Sequence, residues 1–230
     1  MSDLSPPQNM MVSVVVPVYC GADYLAALVA ALDDLRREWQ AQGAPLTLAD
    51  ALFVEAAAID DSGARIDQLA REHSWIVPLH LARNFGQHPA TIVGILHSSG
   101  DWVVTMDEDL QHRPEVIATL LRKAVTEHAD IVYANPVSTV HDAAIRDWTS
   151  RSFKRMMQWL TDNPNLSSFN SFRLIRGPVA RAAASVCSHD TYLDITLGWF
   201  TQSIRAIRIE MKDERYIKTK RSGYSLKSLL

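Results

Sequence analysis

Five short apolar runs rich in β-branched residues, separated by segments of helical period, constrain this chain more than any other feature. The runs are "VSVVVPV" (Val12 to Val18), "ALFVEA" (Ala51 to Ala56), "WIVPLHL" (Trp75 to Leu81), "WVVTM" (Trp102 to Met106) and "DIVYAN" (Asp130 to Asn135). Near-continuous hydrophobicity is what a strand buried on both faces carries, and such strands build parallel sheets. Between the first two runs, Leu25, Leu28, Val29, Leu32, Leu35 and Trp39 recur at helical spacing, with Asp33, Asp34, Arg36 and Arg37 mostly opposite, which predicts an amphipathic helix. Further helices are predicted over Asp61 to His73, Pro89 to Ser98 and Pro114 to His128, Pro114 being suited to a first turn. The order βαβαβαβαβ predicts an α/β fold with a doubly wound, mainly parallel sheet flanked by helices.

The rhythm changes after Asn135. His141 to Thr161 reads as a helix, "FRLI" as a short strand, Pro178 to Val186 and Tyr192 to Gln202 as helices, and "IRAIRIEMK" as a strand with Ile207, Ile209 and Met211 on one side. No repeat or linker interrupts the chain, so its 230 residues, 47% hydrophobic, are expected to form one domain. Within it, 1–10 reads as a flexible tail, 11–135 as one half and 136–230 as the far wall of a cleft with a basic C-terminal segment. The net charge of -3 gives no global reason to expect nucleic acid. Cys20 and Cys187 lie far apart without metal-ligand spacing and read as structural, which favours a reduced cytosolic setting. With no signal-peptide pattern and no run of eighteen uncharged apolar residues, no membrane span is expected.

In sheets of this kind ligands bind outside the carboxyl ends of the strands. There "VVTMDEDLQH" places Asp107, Glu108 and Asp109 directly after a buried run. In an extended exit segment Asp107 and Asp109 would point the same way and Glu108 away. Two like charges held together repel, and a hard divalent cation with open positions for phosphate oxygens relieves that. Helix capping is the plainer alternative, but a helix starting near Pro114 takes its cap from His112 or Arg113, downstream of the acids.

The stretch "RNFGQHPATIVGILHSSGDWVVTMDEDLQHRPEVI" resembles the middle of family 2 glycosyltransferases of the GT-A fold, particularly the dolichol-phosphate-mannose-synthase-like, polyprenyl-phosphate sugar transferases. The resemblance extends to "VSVVVPVY", "DIVYAN", "FRLIRGPVARA" and "RSGYSLKSLL", and so covers nearly the whole chain. It implies a nucleotide-sugar donor, with Asp107 and Asp109 as an Asp-x-Asp motif holding Mg²⁺ or Mn²⁺ on the donor diphosphate. It also implies that Pro17, Val18 and Tyr19 line the nucleoside pocket, with Asn84 and Gly86 in the loop beside it; turn chemistry alone explains the last two equally well.

Three positions depart from the family pattern. Cys20 stands where relatives usually have Asn. Relatives end the second strand in Val-Asp-Asp-Gly-Ser-x-Asp; the thirty residues from Val54 to Asn84 make "VEAAAID" the counterpart, with Glu55 for the first Asp, Ala56, Ala57 and Ala58 for Asp-Gly-Ser, and Asp60 unchanged. The competing "IDDSG" (Ile59 to Gly63) shifts that register. Relatives often place an acid before Phe-Arg-Leu, where this chain has Ser171.

These readings predict a metal-dependent, inverting transfer of a hexose from a UDP- or GDP-sugar to a polyprenyl phosphate. The cations expected on the acceptor phosphate are Arg173, Arg176, Lys220 and Arg221, and Asp194 is a candidate acceptor-side acid beside Asp190. The setting expected is cytoplasmic, peripheral at the membrane face, with a homo-oligomer or a membrane partner subunit as further associations. Two alternatives stand: transfer to a sugar hydroxyl in glycan synthesis, and a catalytically weakened subunit that binds or regulates a partner, suggested by the alanines at 56 to 58. His88, His112 and His189 read as surface or helix-end histidines, and Trp148, Trp159 and Trp199 as core.

Overall fold

The computed structural model describes residues 9–137, 170–188 and 192–210. In chain order its elements are β1 (Met10–Val18), α1 (Ala22–Ala41), β2 (Leu46–Glu55), α2 (Ser62–Glu72), β3 (Ile76–His80), α3 (Gln87–His97), β4 (Trp102–Thr105), α4 (Val116–Thr126) and β5 (Ile131–Pro136). They continue with β6 (Arg173–Arg176), α5 (Gly177–Val186), α6 (Leu193–Phe200) and β7 (Ile204–Ile209). The first nine follow the predicted alternation. The predicted helix at His141 to Thr161, with Trp148 and Trp159, lies outside the described residues.

The seven strands form one sheet in the order β3-β2-β1-β4-β6-β5-β7. All neighbouring pairs are parallel except those of β6, which runs antiparallel to both β4 and β5. β3 is the edge at one end, a position that tolerates Pro78 because an edge strand has backbone donors to spare.

Strand pleating sorts the apolar residues of β1 to two faces. Val12, Val14, Val16 and Val18 meet Leu25, Leu28 and Leu32 of α1, Ile66 of α2, and Ile117 and Leu120 of α4. Val15 and Val103 face the other way, onto Ile92 and Ile95 of α3 with Ala180 and Ala183 of α5 and Leu193 and Leu197 of α6. The result is three layers with the sheet in the middle, the arrangement the doubly wound pattern predicts. Every apolar position predicted for the first helix, from Leu25 to Trp39, is buried. Gly94 brings α3 onto the sheet, since a side chain there would collide with Val15.

One reading changes. Trp199 is not core: it is 67% exposed at the end of α6, because the buried face of that short helix is spent on Leu193, Asp194, Thr196 and Leu197. In β7, Ile207 and Ile209 share a face as predicted and pack on the α1, α2 and α4 side of the sheet, while Ile204 packs on the other; Met211 lies outside the described residues.

Candidate active site

The carboxyl ends of β1, β2, β3 and β4 open on one side of the sheet, with Val18 beside Glu55 and Glu55 beside His80. The acids leave β4 in a turn and not in the extended course expected. Asp109 is 7% exposed and its Oδ1 accepts the Gln111 N–H at 3.2 Å, while Leu110 takes φ +62°. Glu108 lies over the β1–α1 loop, where its Cγ would stand 2.7 Å from any Cβ placed on Gly21.

Asp107 is held from three elements. Gln87 Nε2, at the start of α3, donates to Oδ1 at 2.5 Å; Ser171 Oγ, just before β6, donates to Oδ2 at 3.0 Å; and the Asp107 N–H donates to His112 Nδ1 at 3.0 Å. His112 is therefore not a surface histidine. It is 1% exposed and stacked on Phe172 with ring centroids 4.7 Å apart. Burial lowers its pKa against the pull of Asp107 and Asp109, so it stays neutral with Nδ1 free to accept. The signal in the sequence was the Asp-x-Asp-Leu-Gln-His spacing itself, which returns the imidazole to the first acid through a turn.

Asp107 and Asp109 are hard oxygen donors on one turn. Among the described residues no group of three or more His, Cys, Asp or Glu is arranged to hold a metal ion. Two carboxylates with open positions are nevertheless what Mg²⁺-type ions take when substrate phosphates complete the shell, so the pair fits such an ion.

On the predicted donor side, Pro17 and Val18 are buried and Tyr19 is exposed. Glu55 ends β2, and its oxygens are taken by the Ala58 N–H and by His80 Nδ1, 3.2 Å away; His80 Nε2 meets Asp67 Oδ1 at 3.0 Å. Ala57 has φ +47°, a left-handed conformation that glycine adopts freely and alanine does not. Asp60 ties two loops together, accepting the N–H of Ala22 and both the N–H and the hydroxyl of Ser62, whose Oγ accepts the Gly21 N–H. Those hydrogen bonds hold its pKa down although burial alone would raise it. Asn84 Oδ1 accepts the Gly86 N–H at 2.7 Å, and Gly86 has φ +92° and ψ 172°, so both residues make the turn that starts α3.

The predicted acceptor side is divided. Arg173 and Asp194 are ion-paired and buried, and Tyr133 Oη donates to the same Asp194 oxygen at 2.8 Å. Burial works against the Arg173 charge, but Asp194 more than offsets it and keeps the guanidinium protonated. Burial and the Asp194 charge push the Tyr133 phenol well above its ordinary range. Arg173 is thus already matched, although its Nε has no acceptor among the described residues. Arg176 stands at the opposite end of the sheet: the antiparallel register puts Arg173 beside Thr105 but Arg176 beside Trp102, about 10 Å further along the strand. It pairs with Asp130 and lies over the Trp102 ring, because β6 runs away from the site. His88 packs edge-on against Tyr192, and burial followed by the Arg173 charge lowers its pKa. Lys220, Arg221, His189 and Asp190 lie outside the described residues.

The family model described as "Glycosyl transferase family 2" matches residues 13–181. The chain belongs to glycosyl transferase family 2. Among its family 2 relatives, the undecaprenyl-phosphate 4-deoxy-4-formamido-L-arabinose transferase of Klebsiella pneumoniae is 30% identical over 211 residues, 90% of this chain and 60% of the relative. The enzyme of that name from Pseudomonas aeruginosa is 29% identical over 96% of this chain and 63% of its own length. The chain therefore spans about 60% of the length of these curated relatives. Mannosyl-3-phosphoglycerate synthase from Rubrobacter xylanophilus superposes with a TM-score of 0.64 at 15% identity, covering 97% of this chain and 73% of that protein. Glucosyl-3-phosphoglycerate synthase from Mycobacterium tuberculosis, solved with Mn²⁺, UDP-glucose and phosphoglyceric acid, does so with a TM-score of 0.61 at 13% identity, covering 96% and 74%. The fold is the GT-A type. Among the described residues no helix is long and apolar enough to cross a membrane.

Proposed function

We propose that this family 2 chain is a metal-dependent, inverting glycosyltransferase that moves a hexose from a UDP- or GDP-sugar to a polyprenyl phosphate at a membrane face. The observation that carries the acceptor class is the state of the two positions where a carboxylate base is expected. Ser171 stands in one and donates to Asp107; Asp194 stands in the other and is matched by Arg173. A sugar hydroxyl needs a positioned base, whereas a phosphate monoester is ionised already, with its second pKa near 6. The names of the curated relatives, which act on undecaprenyl phosphate, support the same acceptor class.

A divalent cation on Asp107 and Asp109 would supply Lewis-acid neutralisation of the charge left on the departing nucleoside diphosphate. The chain's own part is to orient. The Asp60 and Ser62 bonds fix the β1–α1 loop beside the donor, and the Asn84 to Gly86 turn sets the start of α3. An acceptor phosphate oxygen then bonds to the anomeric carbon as the bond from that carbon to the diphosphate breaks, and no proton has to be moved.

Calorimetry with UDP and GDP, with and without Mn²⁺, tests the donor side, and nucleotide release with polyprenyl phosphate against a soluble sugar tests the acceptor. Asp107→Ala and Asp109→Ala should each remove the Mn²⁺-dependent part of nucleotide binding, and Glu108→Ala should be milder. Retained Mn²⁺ dependence in both aspartate variants would sink the metal assignment. A wild-type chain that binds neither nucleotide would put the regulatory-subunit reading in its place.

A further inference from the structure

We propose that Gln87 and Ser171 are positioning residues that set the two carboxylate oxygens of Asp107, one from the start of α3 and one from the segment that leads into β6. The inference rests on the reading of Asp107 as a cation ligand. A carboxylate on a turn rotates unless something holds it, and here each oxygen has its own donor: Gln87 Nε2 on Oδ1 and Ser171 Oγ on Oδ2. One donor per oxygen still leaves lone pairs on both for a cation. A hydrogen-bonded outer shell that orients a ligating side chain is a recurrent part of metal sites.

Both donors stand on rigid supports. Gln87 is the first residue of α3, whose Ala90 and Ile95 are fully buried and whose Gly94 lets the helix close on Val15. Ser171 is tied to the strand that carries the acids, since its carbonyl accepts Thr105 Oγ1 at 2.6 Å. Its neighbour Asn170 donates to the Ala134 carbonyl at 2.5 Å. The supports also come from distant parts of the chain. Gln87 follows the Asn84 to Gly86 turn, and Ser171 precedes the buried Arg173. Asp107 is therefore oriented by α3 and by the segment that leads into β6 together. Serine at 171 matters for its chemistry as well as its place, because an acid there would face Asp107 as a like charge where the hydroxyl donates to it.

Neither residue is core: Gln87 is exposed and Ser171 half-buried. That separates a positioning role from a structural one in a single experiment. Calorimetric titration of UDP and GDP, with and without Mn²⁺, would be run on the wild type, Gln87→Ala, Ser171→Ala and Ser171→Thr, alongside thermal midpoints. The expected result is an Mn²⁺-dependent gain in affinity about 10-fold or more smaller in each alanine variant. Metal-free affinity and thermal midpoint should be unchanged, and Ser171→Thr, which keeps the hydroxyl, should recover most of the gain. A full Mn²⁺ gain in both alanine variants would overturn the inference while leaving the Asp107 and Asp109 assignment standing. A matching fall in thermal midpoint would overturn it by making the role structural. No Mn²⁺ gain in the wild type would overturn the assignment itself and the inference with it.

Discussion

Arg173 and Asp194, twenty-one positions apart, form an ion pair in which both partners are buried: Arg173 is 3% exposed and Asp194 7%. A buried pair of this kind is costly to break and cheap to replace, because removing one member strands a charge without water. Arg173→Ala or Asp194→Ala should each cost about 3–5 kcal/mol in urea unfolding. The double variant Arg173→Met with Asp194→Leu should cost less than either. If Asp194 instead served as a free base, Asp194→Asn would abolish transfer at unchanged stability, and the unfolding midpoint of that variant decides between the two.

Ala57 carries a backbone made for glycine. A left-handed conformation costs an L-residue with a Cβ about 1–2 kcal/mol, partly offset by the greater freedom glycine has when unfolded. Ala57→Gly should therefore stabilise the chain by about 0.5–1 kcal/mol, read as a rise in urea midpoint without a change in slope. A destabilised variant would mean that the loop after β2 follows another path.

His80 bridges Glu55 and Asp67 with both ring nitrogens, which calls for the imidazolium. Burial opposes that charge, but the hydrogen bonds and charges of Asp67 and Glu55 outweigh it and raise the pKa above 6.5. A group with a raised folded pKa contributes stability in full below its unfolded value and loses it as pH rises through the folded one. The stability difference between wild type and His80→Gln should accordingly shrink from pH 6 upward. Taking the difference removes His88 and His112, whose lowered pKa values act in the opposite sense by weakening the fold as pH falls. A gap that stays constant from pH 5 to 9 would rule out the bridge.

Trp199 gives a direct test of placement. A core tryptophan cut to a small residue loses about 3–5 kcal/mol, whereas an exposed one changes stability by no more than about 0.5 kcal/mol. Trp199→Ser should fall in the second range, measured by urea unfolding.

Local pattern made much of this fold legible. Continuous β-branched runs marked β1 to β5, and the period from Leu25 to Trp39 marked α1. Asp107 and Asp109 could be placed because they follow a buried strand directly. What pattern could not supply was pairing between distant parts of the chain. "FRLI" reads as a strand, but nothing local says that the strand lies between β4 and β5 or runs against them. The partners of Arg173 and Ser171 depend on that, as does the removal of Arg176 to the far end of the sheet. His112 was misjudged for the same reason, since its burial comes from Phe172, sixty residues on. Trp199 was misjudged because a helix of eight residues has too little buried face to take every large side chain offered.

The antiparallel β6 also sets an order of assembly. Its four residues fill the slot between β4 and β5, so those two strands, though consecutive in sequence, are not joined into one sheet until a segment some forty residues later in synthesis has arrived. Contacts of long sequence separation close late, because the entropy of the intervening loop has to be overcome first. A growing chain can build the β3-β2-β1-β4 half as it emerges, with the acid turn already at the strand end. Asp107 gains its second donor only when residue 171 comes into place beside Thr105. The acid turn is therefore completed only after β6 arrives, and a nascent chain halted before β6 would present the acids on a half-built sheet with an open strand edge, the part of a folding intermediate most prone to pair with a neighbour.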